Sequence, residues 1–384
     1  LVTKISSLIM NQKNVIIIMI DGGRFDKVKD SAIFKKLESK SVFFSNSITY
    51  GPHTIASMHA VFSGSYGSRT GTNSYWSTFK FKKNKFKTLT EYLQEKNYYT
   101  SADLINELVV PRQGFNDYVI HDEQNDNLVE RHKNLLDEMY EKNLNNKNFF
   151  LYLHYSKIHT GIMNNVLKVY DNFSKEFFSN KNENELRYDK LFDEAKIYLN
   201  NILEKIYQLS LDENSIILVI SDHGISMGEK IGERAYGAFC YDYTLRTFSY
   251  FLVPNYEKRK IEQQIRTVDF MPTILEMLDF PLDESYSNLD GVSLLPLIEG
   301  KSTDELYAFS ETGNPLDQKD PPQEPNVKSI RTSNWKLIFN EYDGSKELYD
   351  LKLDPNENKN LINTGNSMEG ILWTELKNLI SIKD

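Results

Sequence analysis

Val15-Ile16-Ile17-Ile18-Met19-Ile20-Asp21 and Ile216-Ile217-Leu218-Val219-Ile220-Ser221-Asp222-His223 are the stretches whose reading decides the fold. Each opens with a short apolar, β-branched run lacking polar alternation, the pattern of a strand buried on both faces of a parallel sheet. Each run leads into an acidic residue. Open α/β sheets gather ligands at the carboxyl ends of their strands. Asp21, Asp222 and His223 are therefore expected on one rim, where two hard carboxylates and an imidazole can hold a divalent cation. A third run, Phe149-Phe150-Leu151-Tyr152-Leu153, ends on His154 and carries another polar residue to that rim. The plainer reading of Asp21 is an N-cap for the helix that follows its strand.

Working outward, residues 32–37 and 89–95 read as helices, and 41–44 with 47–49 and 98–102 as strands. Residues 54–62 have few breakers before Ser63-Gly64, so they read as a helix with Thr54 at its N-terminus. Such an end presents free N–H groups to a bound phosphate or sulfate. Leu191, Phe192, Ala195, Tyr198, Leu199, Ile202, Leu203 and Ile206 keep helical spacing, making 186–209 a long crossover helix into the Asp222 strand. Strand, helix, strand predicts an α/β fold with a large, mostly parallel central sheet flanked by helices. Residues 248–253 read as a further strand and 269–278 as a further helix. From about residue 301 the texture changes to short strands (307–310, 329–332, 335–339, 347–349) and a closing amphipathic helix from Met368. The expected division is a catalytic domain over 1–300 and a small, mostly antiparallel α+β subdomain over 301–384. The polar, Pro-rich loop 313–325 is expected to reach toward the site.

The 384 residues carry a formal charge of −9 and no long basic run, which disfavours a nucleic-acid or anionic-membrane binder. The single cysteine, Cys240, excludes an internal disulfide framework and a cysteine-based zinc site. No run approaches the roughly 20 apolar residues of a bilayer span, and no signal-peptide pattern leads the chain. A soluble protein is expected, with the cytoplasm as the first expectation. A start at Leu1 rather than Met leaves room for a natural segment before it. Oligomeric state is not legible.

Several motifs, in order, resemble the sulfatase-like branch of the alkaline phosphatase superfamily over nearly the whole chain. Asn14 to Asp21 with Arg24 and Asp26 resembles the opening strand and its continuation. Thr54-Ile55-Ala56-Ser57-Met58 through Ser63-Gly64 resembles the nucleophile helix. His154 and His159 resemble the paired histidines, Ser221-Asp222-His223-Gly224 with Gly228-Glu229 the metal signature, and Tyr241-Asp242 with Arg246 the segment after it. Leu348-Tyr349-Asp350-Leu351 with Asp354-Pro355, Glu357 and Asn360-Leu361 resembles the C-terminal turn. The resemblance implies an alkaline-phosphatase-like sandwich holding one divalent metal on Asp21, Thr54, Asp222 and His223. Manganese or zinc suits that donor set better than calcium or magnesium.

The departures shape the expected chemistry. Sulfatases convert a Cys or Ser in Cys/Ser-x-Pro-x-Arg to formylglycine, and Thr54, Ala56 and Met58 stand in those places. Threonine cannot form that aldehyde. The paired Asp-Asp is here Asp21-Gly22, and the usual His or Lys before the Tyr-Asp segment is Tyr236. The remainder resembles threonine-nucleophile phosphoethanolamine and phosphoglycerol transferases and phosphodiesterases. The resemblance therefore implies cleavage of a phosphoric ester through Thr54 and a phospho-threonine, by a hydrolase or a phosphotransferase. His159 and His154 would contact the transferred group or the leaving oxygen, His154 being equally readable as a core histidine. Lys157 and Arg234 are further anion contacts. Two alternatives stand beside this reading: sulfuric ester cleavage without formylglycine, and an inactive binding module for anionic glycans or lipid head groups. His53, His59, His121 and His132 read as surface or packing residues, and Arg24 with Asp26 as a brace.

Overall fold

Every residue of β1 (Asn14–Ile20) is buried, and the run that looks uniform in sequence divides its side chains between two cores. Ile16, Ile18 and Ile20 enter one and Val15, Ile17 and Met19 the other, as the period-2 geometry of a strand requires. The computed structural model describes residues 13–381 apart from 75–79, 163–178, 234, 302–304 and 315–323. β1 lies between β5 (Phe149–Tyr155) and β6 (Ser215–Ser221) and is parallel to both, with Ile20 level with Tyr155 and Ser221.

The nine-stranded sheet runs β4 (Asp117–Ile120), β3 (Tyr99–Leu104), β5, β1, β6, β7 (Arg246–Leu252), β2 (Val42–Ile48) and β8 (Arg259–Ile261), with β9 (Ile265–Arg266) also pairing with β2. Only β7 runs against its neighbours, so the expected mostly parallel sheet is present. The runs 41–44 and 47–49, read together as one short strand, form β2, with an irregularity between Phe44 and Ser47.

One face is covered by α1 (Ala32–Glu38), α4 (Leu128–Leu144) and α6 (Lys181–Gln208), which contribute Phe34, Leu136, Tyr198 and Ile202 to the first core. The other is covered by α2 (Thr54–Ser63), α3 (Leu89–Glu95) and α7 (Phe270–Met277), which contribute Met58, Leu93 and Ile274 to the second. The sequence reading assigns no element to α4. Asn127 starts it, its side-chain oxygen accepting from the amides of Val129 and Glu130, and only Leu128, His132, Leu136 and Met139 turn inward. So sparse an apolar stripe, with a histidine in it, is hard to see without the neighbours it packs on. Among the described residues no helix is long and apolar enough to cross a membrane.

The second sheet is antiparallel, in the order β10 (Ala308–Thr312), β11 (Val327–Arg331), β12 (Trp335–Asn340), β13 (Ser345–Asp350). The last helix, α8 (Ser367–Ser381), lays Leu372 and Leu376 on it beside Ile330, Leu337 and Leu348. Tyr50 and Ala56, from the segment around α2, share that core. Residues 315–323 of the Pro-rich loop lie outside the described residues, so the expectation that it reaches the site is not addressed.

A buried ionic knot joins the two sheets. Asp242, just before β7, accepts from Arg331 at 2.8 Å and from Lys336 at 2.9 Å, and Lys336 also meets Glu357 at 2.8 Å. Lys336 is fully buried, and removing one partner from a buried cluster leaves the others uncompensated. Lys336→Met keeps the stem and deletes the charge, and it is expected to destabilise the protein by about 3–5 kcal/mol in urea denaturation. A loss under about 1 kcal/mol would mean that the knot does not hold the sheets together.

Candidate active site

Alternation carried one step past the strands puts Asp21 and Asp222 on the face that α2 covers, because Met19 and Ile220 belong to that core. The shared register of β1 and β6 puts them at one level. α2 begins at the same place. His53 is its N-cap and its ring accepts from the Ala56 amide at 3.4 Å, leaving Thr54 as the first helical residue. Ser57, one turn on, donates to the Asp222 carbonyl at 2.9 Å and accepts from the Thr49 hydroxyl at 2.7 Å. That pair of bonds pins the helix start to the end of β6.

Thr54 Oγ1 lies 3.4 Å from Asp21 Oδ2 and 3.4 Å from His223 Nε2. His223 Nε2 is in turn 3.6 Å from Asp21 Oδ1 and 3.4 Å from Asp222 Oδ2. His223 Nδ1 is 2.7 Å from the Gly224 carbonyl, which can only accept, so Nδ1 donates there and Nε2 is the ring nitrogen turned toward the carboxylates. Gly22 N donates to Asp222 Oδ1 at 3.1 Å, while Asp222 Oδ2 is buried without a hydrogen-bond partner.

Two carboxylates, an imidazole nitrogen and a hydroxyl thus converge, with candidate ligand atoms of Asp21, Asp222 and His223 all within 4.8 Å of one another. Burial and the negative charge of Asp21 push the Asp222 carboxyl up. Burial pushes Asp21 up as well, but His159, His154 and His223 outweigh it and leave that carboxyl at about 2. Two buried carboxylates this close, with one oxygen of Asp222 unpaired, are what a cation would satisfy. The residues present fit a divalent metal.

His154 is fully buried and donates from Nε2 to Asp21 Oδ2 at 3.0 Å. Of its two readings, this geometry favours a brace that orients the Asp21 carboxylate. His159 stands on α5 (Lys157–Ile162), partly exposed, with Nδ1 3.6 Å from Asp21 Oδ1 and Nε2 3.2 Å from the Tyr236 hydroxyl. Tyr236 also packs its ring against His223, centroids 4.8 Å apart. Lys157 opens α5, but its charge falls on Glu123, and no described bond joins it to Thr54 or Asp21. Arg234 lies outside the described residues.

Arg24 donates to Asp26, to Glu229 at 2.6 Å and to the Ile225 carbonyl at 2.8 Å, bracing the loop behind Asp21. Gly22, where sulfatases resembling this chain have a second Asp, has φ +71°, and a Cβ there would lie 2.5 Å from Ile225 Cδ1. The left-handed backbone strains any side chain there, and a Cβ would require the Ile225 side chain to shift.

Four histidines read as surface or packing residues are all buried. Two of them belong to a cluster of metal-ligand composition, Asp103, His121 and His132. Its atoms already have protein partners: Asp103 Oδ1 meets His121 Nδ1 at 2.5 Å and His132 Nε2 at 3.2 Å, and Oδ2 meets Arg131 at 2.5 Å. The remaining ring nitrogens meet Ser156 and Tyr198. It is an ion-paired brace behind His154. The inward stripe of Leu128, His132 and Leu136 at i, i+4 spacing was the available signal.

A profile of the family described as Sulfatase matches residues 13–280. A second, described as N-sulphoglucosamine sulphohydrolase, C-terminal, matches residues 236–382. Arylsulfatase K of Rattus norvegicus is 26% identical over 204 residues, which is 50% of this chain and 35% of that protein. The alignments span 28% to 40% of the length of the curated relatives matched. Among solved structures, a putative sulfatase from Bacteroides fragilis superposes with a TM-score of 0.75 at 18% identity, covering 97% of this chain and 96% of that one. A phosphonate monoester hydrolase from Silicibacter pomeroyi gives 0.71 at 15% identity, covering 96% and 94%. These likenesses show the alkaline-phosphatase-like sulfatase fold.

The turn presenting Tyr236 is shaped by Glu233, which accepts from the Ala238 amide at 3.0 Å and the Tyr243 hydroxyl at 3.2 Å. Burial pushes its carboxyl up to about 8, above its unfolded value of roughly 4.5. The folded state therefore holds a proton that the unfolded state releases. This contribution to stability is complete below about pH 4.5 and is lost as pH rises through about 8. Glu233→Gln cannot ionise, so melting temperature measured from pH 5 to 9 should fall less steeply in the variant than in wild type; parallel curves would refute the assignment.

Proposed function

The chain belongs to the sulfatase family, and from that premise we propose that it cleaves a phosphoric ester in a divalent-metal-dependent reaction with the Thr54 hydroxyl as nucleophile. The observation that carries this reading is the position of Thr54 Oγ1, at a helix start and 3.4 Å from both Asp21 Oδ2 and His223 Nε2. Asp21, Thr54, Asp222 and His223 would hold the cation, with manganese or zinc the better match to two carboxylates, an imidazole and a hydroxyl. When bound, the cation would lower the pKa of the hydroxyl and draw charge from the ester oxygens.

The chain's own residues supply the rest. Thr54 loses its proton toward the acceptors that surround it, and its oxygen attacks phosphorus in line with the leaving oxygen. Among the described residues no acceptor meets the amides of Thr54 and Ile55, so these N–H groups at the positive end of α2 are available to the equatorial oxygens. His154 keeps Asp21 in place. His159, partly exposed and bonded to Tyr236, donates a proton to the leaving alkoxide or hydrogen-bonds the phosphoryl oxygens. The phospho-threonine then passes its group to water, or to an acceptor alcohol in a transferase. Lys157 and Arg234 remain candidate anion contacts.

A second reading, cleavage of a sulfuric ester by an unmodified threonine or by water, is favoured by the sulfatase names of the curated relatives and of the Bacteroides fragilis neighbour. The phosphonate monoester hydrolase neighbour keeps phosphorus chemistry within the same fold.

Intact mass spectrometry after brief exposure of manganese- or zinc-loaded protein to phosphate monoesters, phosphate diesters and aryl sulfates separates these readings. A phosphoryl-type adduct is expected on wild type and not on Thr54→Ala, whose kcat/KM should drop on the order of 10³-fold or more. Sulfate turnover without an adduct would replace the first reading by the second, and no turnover of any ester would refute both. Chelator treatment should abolish activity, and adding back manganese or zinc should restore it. In Asp222→Asn the melting temperature should no longer rise when metal is added; an undiminished rise would remove Asp222 from the ligand set.

A further inference from the structure

β7 opens on Arg246, whose guanidinium stands between two cavities of about 410 and 440 Å³ that share Phe25, Lys29 and Arg246 as a common wall. Both volumes fall in the range of small-molecule sites, and neither cavity is lined by Asp21, Thr54, Asp222 or His223. Arg246 Nε and Nη2 donate to the Ser45 carbonyl at 3.2 and 2.7 Å, and Cζ lies 4.1 Å from the centre of the Phe25 ring. The fork is thereby held in one orientation. Nη1 is left open to solvent and without an acceptor among the described residues. No described carboxylate pairs with Arg246; Asp242 and Asp26 act on it only at longer range, and Arg331 opposes them.

The carboxylates of the first cavity are already matched. Asp26 and Glu229 pair with Arg24 at 2.8 and 2.6 Å, Glu185 with Lys27 at 2.7 Å, and Asp242 and Glu357 with Lys336 at 2.9 and 2.8 Å. Its remaining cations are not. Lys29 and Lys181 are exposed on the same cavity, and among the described residues neither ammonium has an ion pair or a hydrogen bond. Lys29 meets only the face of Phe25, 5.8 Å from its Nζ. In the second cavity Lys260 is taken by Glu262 at 2.9 Å and Glu38 is left over. The unmatched positive charge therefore lies in the first cavity and at the wall between the two.

Three separate elements bring this charge together: the turn after β1, the start of α6 and the start of β7. A carboxylate offers three cations a single charge and two oxygens. A phosphate group offers a charge of about −1.5 to −2 and three acceptor oxygens, a better match to one rigid guanidinium edge and two adaptable ammonium groups. We infer that this cleft is a binding site for a dianionic phosphate group, free or carried on a small molecule, held by Arg246, Lys29 and Lys181 apart from the Thr54 centre.

The test is calorimetric titration of the whole, chelator-treated protein with inorganic phosphate, with glycerol 1-phosphate and with acetate. Chelation prevents turnover and leaves Asp21 and Asp222 to repel phosphate from the Thr54 centre. Phosphate is expected to bind wild type at least about 10-fold more tightly than acetate does. Tighter binding of glycerol 1-phosphate than of inorganic phosphate would assign the site to an organic phosphate, and the reverse order to the free ion. Arg246→Gln should weaken phosphate binding about 10-fold or more. Lys29 is exposed and bonded to nothing else, so Lys29→Glu should fold normally and weaken it at least about 5-fold, which keeps the test decisive if Arg246→Gln does not fold. Wild type that binds no phosphate up to about 10 mM, or a dissociation constant unchanged in Lys29→Glu, overturns the inference.

Discussion

Two buried carboxylates at the same level of a parallel sheet are the constraint on which the rest of this structure depends. β1 and β6 run side by side in register, so the acidic residues that follow them cannot separate without unpairing the central strands. Neither is relieved by water, since both are almost fully buried. The protein answers with cationic or donor groups wherever a side chain can reach. His154 takes one oxygen of Asp21, the Gly22 amide takes one oxygen of Asp222, and His159 and His223 stand close by. One oxygen of Asp222 still has no partner. Such concentrated negative charge is unfavourable in an apo interior and favourable around a cation.

The surrounding architecture keeps these groups from relaxing. The bonds through Ser57 tie α2 to the end of β6, Arg24 ties the loop after β1 to Glu229 and Ile225, and the Asp103 cluster stands behind β5 with Ser156 as its link to α5. Each brace connects a rim segment to a different strand or helix, so the position of Thr54 relative to Asp21 and His223 is set by tertiary bonds and not by its own loop. The second sheet adds to this. Its ionic knot reaches Asp242, just before β7, and its apolar core reaches Tyr50 and Ala56 on either side of the Thr54 turn. Loss of the small sheet would therefore disturb the start of α2 as well as the edge of the molecule.

Much of the fold was legible before any coordinates. The three apolar runs became adjacent strands β5, β1 and β6, the 3.6-residue spacing around Tyr198 and Ile202 became α6, and the change of texture near residue 301 became a separate antiparallel sheet. What escaped was weakly patterned. α4 buries few residues, β4 is a half-exposed edge, and β8 and β9 are too short to carry a period. For His121 and His132, read as surface or packing residues, what escaped was their pairing with Asp103, which joins segments apart in sequence.

The sequence by itself determined that Asp21, Asp222, His223 and His154 would arrive at one rim, because an apolar run buried on both faces has no other stable place than the middle of a parallel sheet. It also determined that no formylglycine could form, since Thr54 lacks the chemistry. Tertiary structure alone decided how those groups stand toward one another: which oxygen of Asp21 His154 holds, which nitrogen of His223 faces the carboxylates, and that Tyr236 meets His159. The physical reason is range. Strand pattern is written in neighbours a few residues apart, whereas each of these relations joins segments brought together only by strand register and helix packing.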